Sequence, residues 1–157
     1  MSVEDGYPKK FVAGITGLTP RTIQFYTDEG LVIPDVDDAK GRGKTRLYSA
    51  LNIYEFILAK HLADYGLRLE KIKKVMSLIR KRFPEARRRK YWLRDSSKER
   101  AFLIIYNAAS DKMTVNFAVL TEEEVEAGAK LTLDLRQNNN AIVVEFTQLG
   151  YEIRGVL

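Results

Sequence analysis

Hydrophobic and polar positions along the chain change rhythm once, near residue 84. Before it, apolar residues recur at helical gaps; well after it, they alternate at the spacing of strands. Leu51, Tyr54, Leu58, Leu62 and Tyr65 recur at gaps of three and four, and Ile53, Phe56 and Ile57 widen the stripe. This predicts a largely buried helix ending at Gly66. Leu69, Ile72, Met76, Ile79 and Phe83 repeat the same gaps over two heptads, too few for a coiled-coil seam, so packing against the preceding helix is expected. Pro84 then stops the helical pattern, because proline cannot donate to a helix ladder. Further on, Phe102 to Tyr106 is a near-continuous apolar run that predicts a central strand. Met113, Val115, Phe117 and Val119 alternate, as do Leu131, Leu133 and Leu135, and again Ile142, Val144 and Phe146. Turns are expected at Ser110-Asp111 and Asn138 to Asn140, and Thr121 with Glu124 forms the capping box of one short helix.

The fold class that follows is α+β, with three parts. Residues 1–83 form a helical domain, 84–100 a basic linker, and 101–157 a small antiparallel β-sheet domain carrying one short helix. Composition sharpens this division. The 157 residues are 45% hydrophobic, enough for a packed core, and carry a net charge of +5. Residues 101–157 hold four basic and eight acidic side chains, a balance of −4, which leaves +9 on the first hundred. A basic front joined to an acidic back suggests a polyanion-binding module carrying a second, different module. There is no cysteine and a single histidine, which excludes disulfides, thiolate metal sites and cysteine nucleophiles. No cofactor, no metal and no enzymatic activity are expected, since no nucleophile–base pair is recognisable. No apolar run suits a bilayer, and the first ten residues lack a secretory signal's apolar core, so a cytoplasmic protein with no membrane partner is expected.

The segment GITGLTPRTIQFYTDEGL carries the strongest chemistry. Thr19 followed by Pro20 starts a helix: the side-chain oxygen caps free amides and proline's fixed φ suits the first helical position. Gly17 suits the turn after a short helix containing Phe11, Val12 and Ala13, and Gly30 suits a left-handed terminator after Glu29. Ile23 shares a face with Tyr26 or Thr27, while Arg21, Thr22, Gln24 and Phe25 point elsewhere. Two short helices joined by a glycine turn, the second opening with exposed donors, can place a helix N-terminus in the major groove of DNA. Leu31 to Ile33 then reads as a short strand. In KGRGKTRLYS, Lys40, Arg42, Lys44 and Arg46 fall on every second residue, so an extended chain holds all four on one side. A basic hairpin in this place is a wing, suited to a phosphate backbone. A nucleotide-binding loop over Gly43-Lys44-Thr45 fails because position 38 is Asp38, and a calcium loop from Asp35 fails at Lys40 and Arg46.

TPRTIQFYTDEGLV, RLYS and HLADYGLRLEKIKKVM, in this order over roughly residues 8–82, resemble the DNA-binding domain of the MerR family of winged helix-turn-helix regulators. The resemblance implies that Arg21, Tyr26, Arg46 and Tyr48 approach DNA, with Arg21 and position 24 nearest the bases. It also implies a homodimer on a pseudo-palindromic bacterial promoter site, with RNA polymerase as a further partner. Thr19, Arg21, Thr22, Gln24, Tyr26, Lys40, Arg42, Lys44, Arg46 and Tyr48 are therefore the candidate contacts to double-stranded DNA. Three positions depart from the family pattern. Gln24 stands where arginine is usual, and Lys9 where a buried aliphatic is usual, leaving Phe11 to take over that packing. Asn52 replaces the usual acid after Ser49, which should weaken the capping box. Arg87 to Lys90, with Tyr91 and Trp92, reads equally as a solvated linker and as an extension of the DNA footprint. The back sheet offers one apolar face and little helix to cover it, so dimerisation is expected of it first and effector sensing second. An architectural, excisionase-type DNA-binding factor is the competing reading for the whole chain.

Overall fold

The computed structural model describes residues 6–37, 45–87, 98–126 and 140–146. Its architecture is mixed α and β. The described residues up to Ser77 form one compact unit and the described residues from Leu78 another. The first unit opens with a two-residue strand β1 (Tyr7–Pro8) and helices α1 (Lys9–Thr16) and α2 (Pro20–Asp28). Strand β2 (Leu47–Tyr48), helix α3 (Ala50–Asp64) and helix α4 (Leu69–Arg82) follow, the last running across the division. β1 and β2 pair antiparallel, Tyr7 opposite Tyr48 and Pro8 opposite Leu47. Val12, Ile23, Leu31, Val32, Tyr48, Ile53, Phe56 and Leu62 are all fully buried and form the core of this unit. The core draws on each element from α1 to α3, which is why two helices as short as α1 and α2 hold their shape: burial, not intrinsic propensity, stabilises them.

Glycine closes the helices where the sequence expects it. Gly17 caps α1 at φ 68°, its amide hydrogen-bonded to the Ala13 carbonyl at 3.0 Å. A left-handed residue at this point turns the chain in one step, and only glycine does so without a Cβ penalty. The predicted strand at Leu31–Ile33 is not formed. The Leu31 and Val32 amides instead reach back to the Tyr26 carbonyl, at 2.8 and 3.4 Å, so these two residues unwind from the end of α2 into the core while Ile33 is exposed. The extended pairing starts later, at an antiparallel bridge between Asp37 and Leu47.

The capping box of α3 also departs from expectation. Asn52 completes it: the Asn52 amide donates to Ser49 Oγ and the Ser49 amide to Asn52 Oδ1, each at 3.1 Å. Asn52 Oδ1 further accepts from the Asp35 amide, and Nδ2 donates to the Ile33 carbonyl and to Glu55 Oε2, each at 2.9 Å. An acid could accept from the Ser49 and Asp35 amides but could not donate to Ile33 or Glu55. Asparagine therefore ties the 33–35 loop to the helix start.

In the second unit a 3-10 turn (Pro84–Arg87) is followed by β3 (Glu99–Tyr106), β4 (Thr114–Thr121), helix α5 (Glu122–Glu126) and β5 (Ala141–Glu145). The sheet order is β4-β3-β5, antiparallel throughout, with Leu103 opposite Phe117 on one side and Val144 on the other. β3 is central, as its continuous apolar run implies. Arg100 clamps Glu145 through two bonds of 2.6 and 2.7 Å. Thr121 and Glu124 cap α5 reciprocally. The expected strand Leu131–Leu135, Asn138 and Asn139 of the expected turn, and the run from Arg88 to Trp92 lie outside the described residues.

Candidate nucleic-acid interface

The candidate interface is built on α2. Thr19 caps the helix, its Oγ1 accepting from the Thr22 amide at 3.1 Å and lying 2.8 Å from the Thr22 hydroxyl. Pro20 occupies the first helical position. Ile23, Tyr26 and Thr27 face the core. Their spacing leaves Arg21, Gln24, Phe25 and Asp28 on the opposite, outward strip, at i, i+3, i+4 and i+7. Arg21 and Asp28 are exposed and Gln24 is half-buried; Phe25, absent from the candidate contacts, is 45% exposed.

A chain of polar contacts runs along this strip. Lys9 Nζ on α1 donates to Gln24 Oε1 at 3.2 Å. Gln24 Nε2 donates to both carboxylate oxygens of Asp28 at 2.9 Å. Arg46, at the foot of the wing, reaches the same carboxylate at 2.7 Å. The hydrogen bonds from Gln24 and Arg46 hold the Asp28 carboxyl below its ordinary pKa, so it stays charged. Lys9 and Gln24, two of the three positions that depart from the family pattern, thus touch one another. Sequence reasoning named both and missed their contact, which joins residues fifteen apart on different helices and leaves no periodic signal.

The two tyrosines among the candidates face inward. Tyr48 is 0% exposed, stacked edge-on against Phe56 with ring centroids 5.3 Å apart, and its hydroxyl lies 3.0 Å from Thr27 Oγ1. In this position it is a core residue. Tyr26 is 8% exposed; burial, with Asp64 nearby, raises its pKa and keeps the hydroxyl protonated. Phe11 stacks on buried Tyr7 at 5.0 Å. Arg46 is placed by the Asp37–Leu47 bridge beside it, while Lys40, Arg42 and Lys44 lie outside the described residues.

Two bonds outside the strip steady the helices beneath it. Lys60 on α3 donates to the Thr16 carbonyl at the end of α1, at 3.2 Å. Lys73 on α4 pairs with Glu29, just past α2, at 2.8 Å. Among the described residues no three His, Cys, Asp or Glu side chains gather to hold a metal ion, and no helix is long and apolar enough to cross a membrane.

Two short helices joined at a left-handed glycine, the second capped and presenting a polar strip beside an antiparallel return, define a winged helix-turn-helix domain. By comparison, residues 7–79 match the family model described as MerR HTH family regulatory protein. The uncharacterized HTH-type transcriptional regulator Rv1830 of Mycobacterium tuberculosis is 32% identical over 77 residues, which cover 49% of this chain and 34% of that protein. The HTH-type transcriptional regulator CueR of Escherichia coli O157:H7 is 34% identical over 68 residues, 43% of this chain and 48% of CueR. The chain therefore spans about a third of the length of the first relative and about half of the second.

Proposed function

We propose that this chain is a sequence-specific DNA-binding transcriptional regulator, acting in the bacterial cytoplasm as a homodimer on a pseudo-palindromic promoter site. The observation that carries this reading is the outward strip of α2, where Arg21 is exposed and Gln24 half-buried on a helix whose start is capped by Thr19. Arginine and glutamine in the major groove can pair with base edges. Thr19 and Thr22 lie at the helix N-terminus, where hydroxyl and amide groups suit phosphate oxygens. The wing residues Lys40, Arg42, Lys44 and Arg46 contribute affinity independent of sequence and sensitive to salt.

In this reading residues 1–83 bind DNA, 84–100 form a basic linker, and 101–157 hold two copies together. RNA polymerase is the further partner, and the chain is not an enzyme. Hydroxyl-radical footprinting of the full chain on genomic promoter fragments tests the proposal. A dimer should protect two inverted half-sites whose centres lie about one helical turn, roughly 10 base pairs, or a multiple of it apart. Protection of direct tandem repeats by single copies, with no inverted symmetry, would favour the architectural reading instead. Absence of any protected sequence would overturn DNA binding itself.

A further inference from the structure

We propose that Gln24 selects adenine at one base pair of the bound site, and that Lys9 and Asp28 are the positioning residues that set its amide for that choice. The inference rests on the DNA-binding reading above, and adds to it the identity of the base and the two residues that enforce it.

The amide of Gln24 is held at both ends: Lys9 Nζ lies 3.2 Å from Oε1, and Nε2 lies 2.9 Å from each Asp28 oxygen. An ammonium group can only donate and a carboxylate can only accept, so the two ends cannot exchange. Arg46, at 2.7 Å, holds the Asp28 carboxylate in turn. One N–H of Gln24 spread across the carboxylate leaves the other N–H, and Oε1 keeps a second lone pair. The side chain thus offers one donor beside one acceptor, in a fixed order, from a half-buried position on the outward strip. Adenine's major-groove edge is the complement, with N7 accepting and the N6 amino group donating. Guanine shows two acceptors, N7 and O6, one of which would face Oε1 without a proton between them. A freely turning amide could swing its NH2 group towards guanine; this one cannot without breaking both of its anchors.

Selection of bound duplexes from a randomised pool by the full chain defines the site. Competition binding of the four single-pair variants at each position then tests the inference, for the wild type, Gln24→Ala, Lys9→Met and Asp28→Ala. The wild type should prefer adenine at one position by on the order of ten- to a hundred-fold. Gln24→Ala should flatten that position and leave the others unchanged. Lys9→Met and Asp28→Ala, which keep Gln24, should lose most of the discrimination against guanine there, although Asp28→Ala binds every duplex more tightly for want of a negative charge. These ratios are taken within one protein, so they do not depend on how much of a variant is folded. Full adenine discrimination in both Lys9→Met and Asp28→Ala, or a Gln24→Ala variant that alters no single position, overturns the proposal. A pool with no enriched sequence overturns the DNA-binding reading, and this inference with it.

Discussion

Tyr48 and Thr27 share a buried hydrogen bond of 3.0 Å, and Thr27 also donates to the Ile23 carbonyl at 2.9 Å. Tyr48→Phe removes only the phenolic oxygen. It should cost about 1 kcal/mol of stability, the net worth of one such bond, with DNA affinity unchanged. Urea unfolding alongside a binding titration checks this; lost affinity at unchanged stability would mean that the hydroxyl reaches DNA. At Asp28 the bonds from Gln24 and Arg46 depress the folded pKa below the ordinary 3.8. A carboxylate shifted down contributes stability that is complete above the unfolded value and is lost as pH falls through the folded one. Its effect therefore belongs to strongly acid solution and is already constant at neutral pH. An NMR titration should show the Asp28 midpoint rising towards 3.8 in Gln24→Ala, and an unmoved midpoint would deny the contact.

Among the elements, the start of α3 depends most on one side chain. Asn52→Ala deletes four bonds, with the Ser49 and Asp35 amides and with Ile33 and Glu55, and should destabilise the first unit by roughly 2–4 kcal/mol. Faster hydrogen exchange at the Asp35 and Ser49 amides would report the loss locally. Asn52→Asp should recover only part of it, because a carboxylate cannot donate to Ile33 and repels Glu55. Helix limits were legible in the sequence because Gly17, Gly30 and Pro84 punctuate the periodic runs, and central β3 because its apolar run is continuous. The Leu31–Ile33 triplet was not, since three apolar residues suit a strand and a helix exit equally, and the amide bonds to Tyr26 decide. The outward placement of Arg21 and Gln24 followed from spacing alone. The inward turn of Tyr48 did not: a tyrosine suits either side of a strand, and only contact with Phe56 and Thr27, on other elements, selects one. Asn52's bond to the Ile33 carbonyl and the Lys9–Gln24 contact were hidden for the same reason.

For the whole molecule, charge separates along the chain. The first hundred residues carry +9 and the remainder −4. In the second unit Val119 and Val143 are exposed on strands β4 and β5, though most of their apolar neighbours are buried. If this sheet joins two copies through the face that carries Val119, which Val143 does not share, Val119→Lys should shift sedimentation from dimer towards monomer while the strand signal in circular dichroism persists. An unaltered dimer would move the interface to another element. The central claim, that the capped helix and its wing read DNA, meets its most direct test in one titration. The full chain is titrated over a salt series against its selected duplex and against a scrambled duplex of equal length and composition. Log affinity should fall linearly with log salt on both, and at physiological salt the selected duplex should be favoured by on the order of a thousand-fold or more. Equal affinity for the two duplexes, or binding indifferent to salt, would contradict the account.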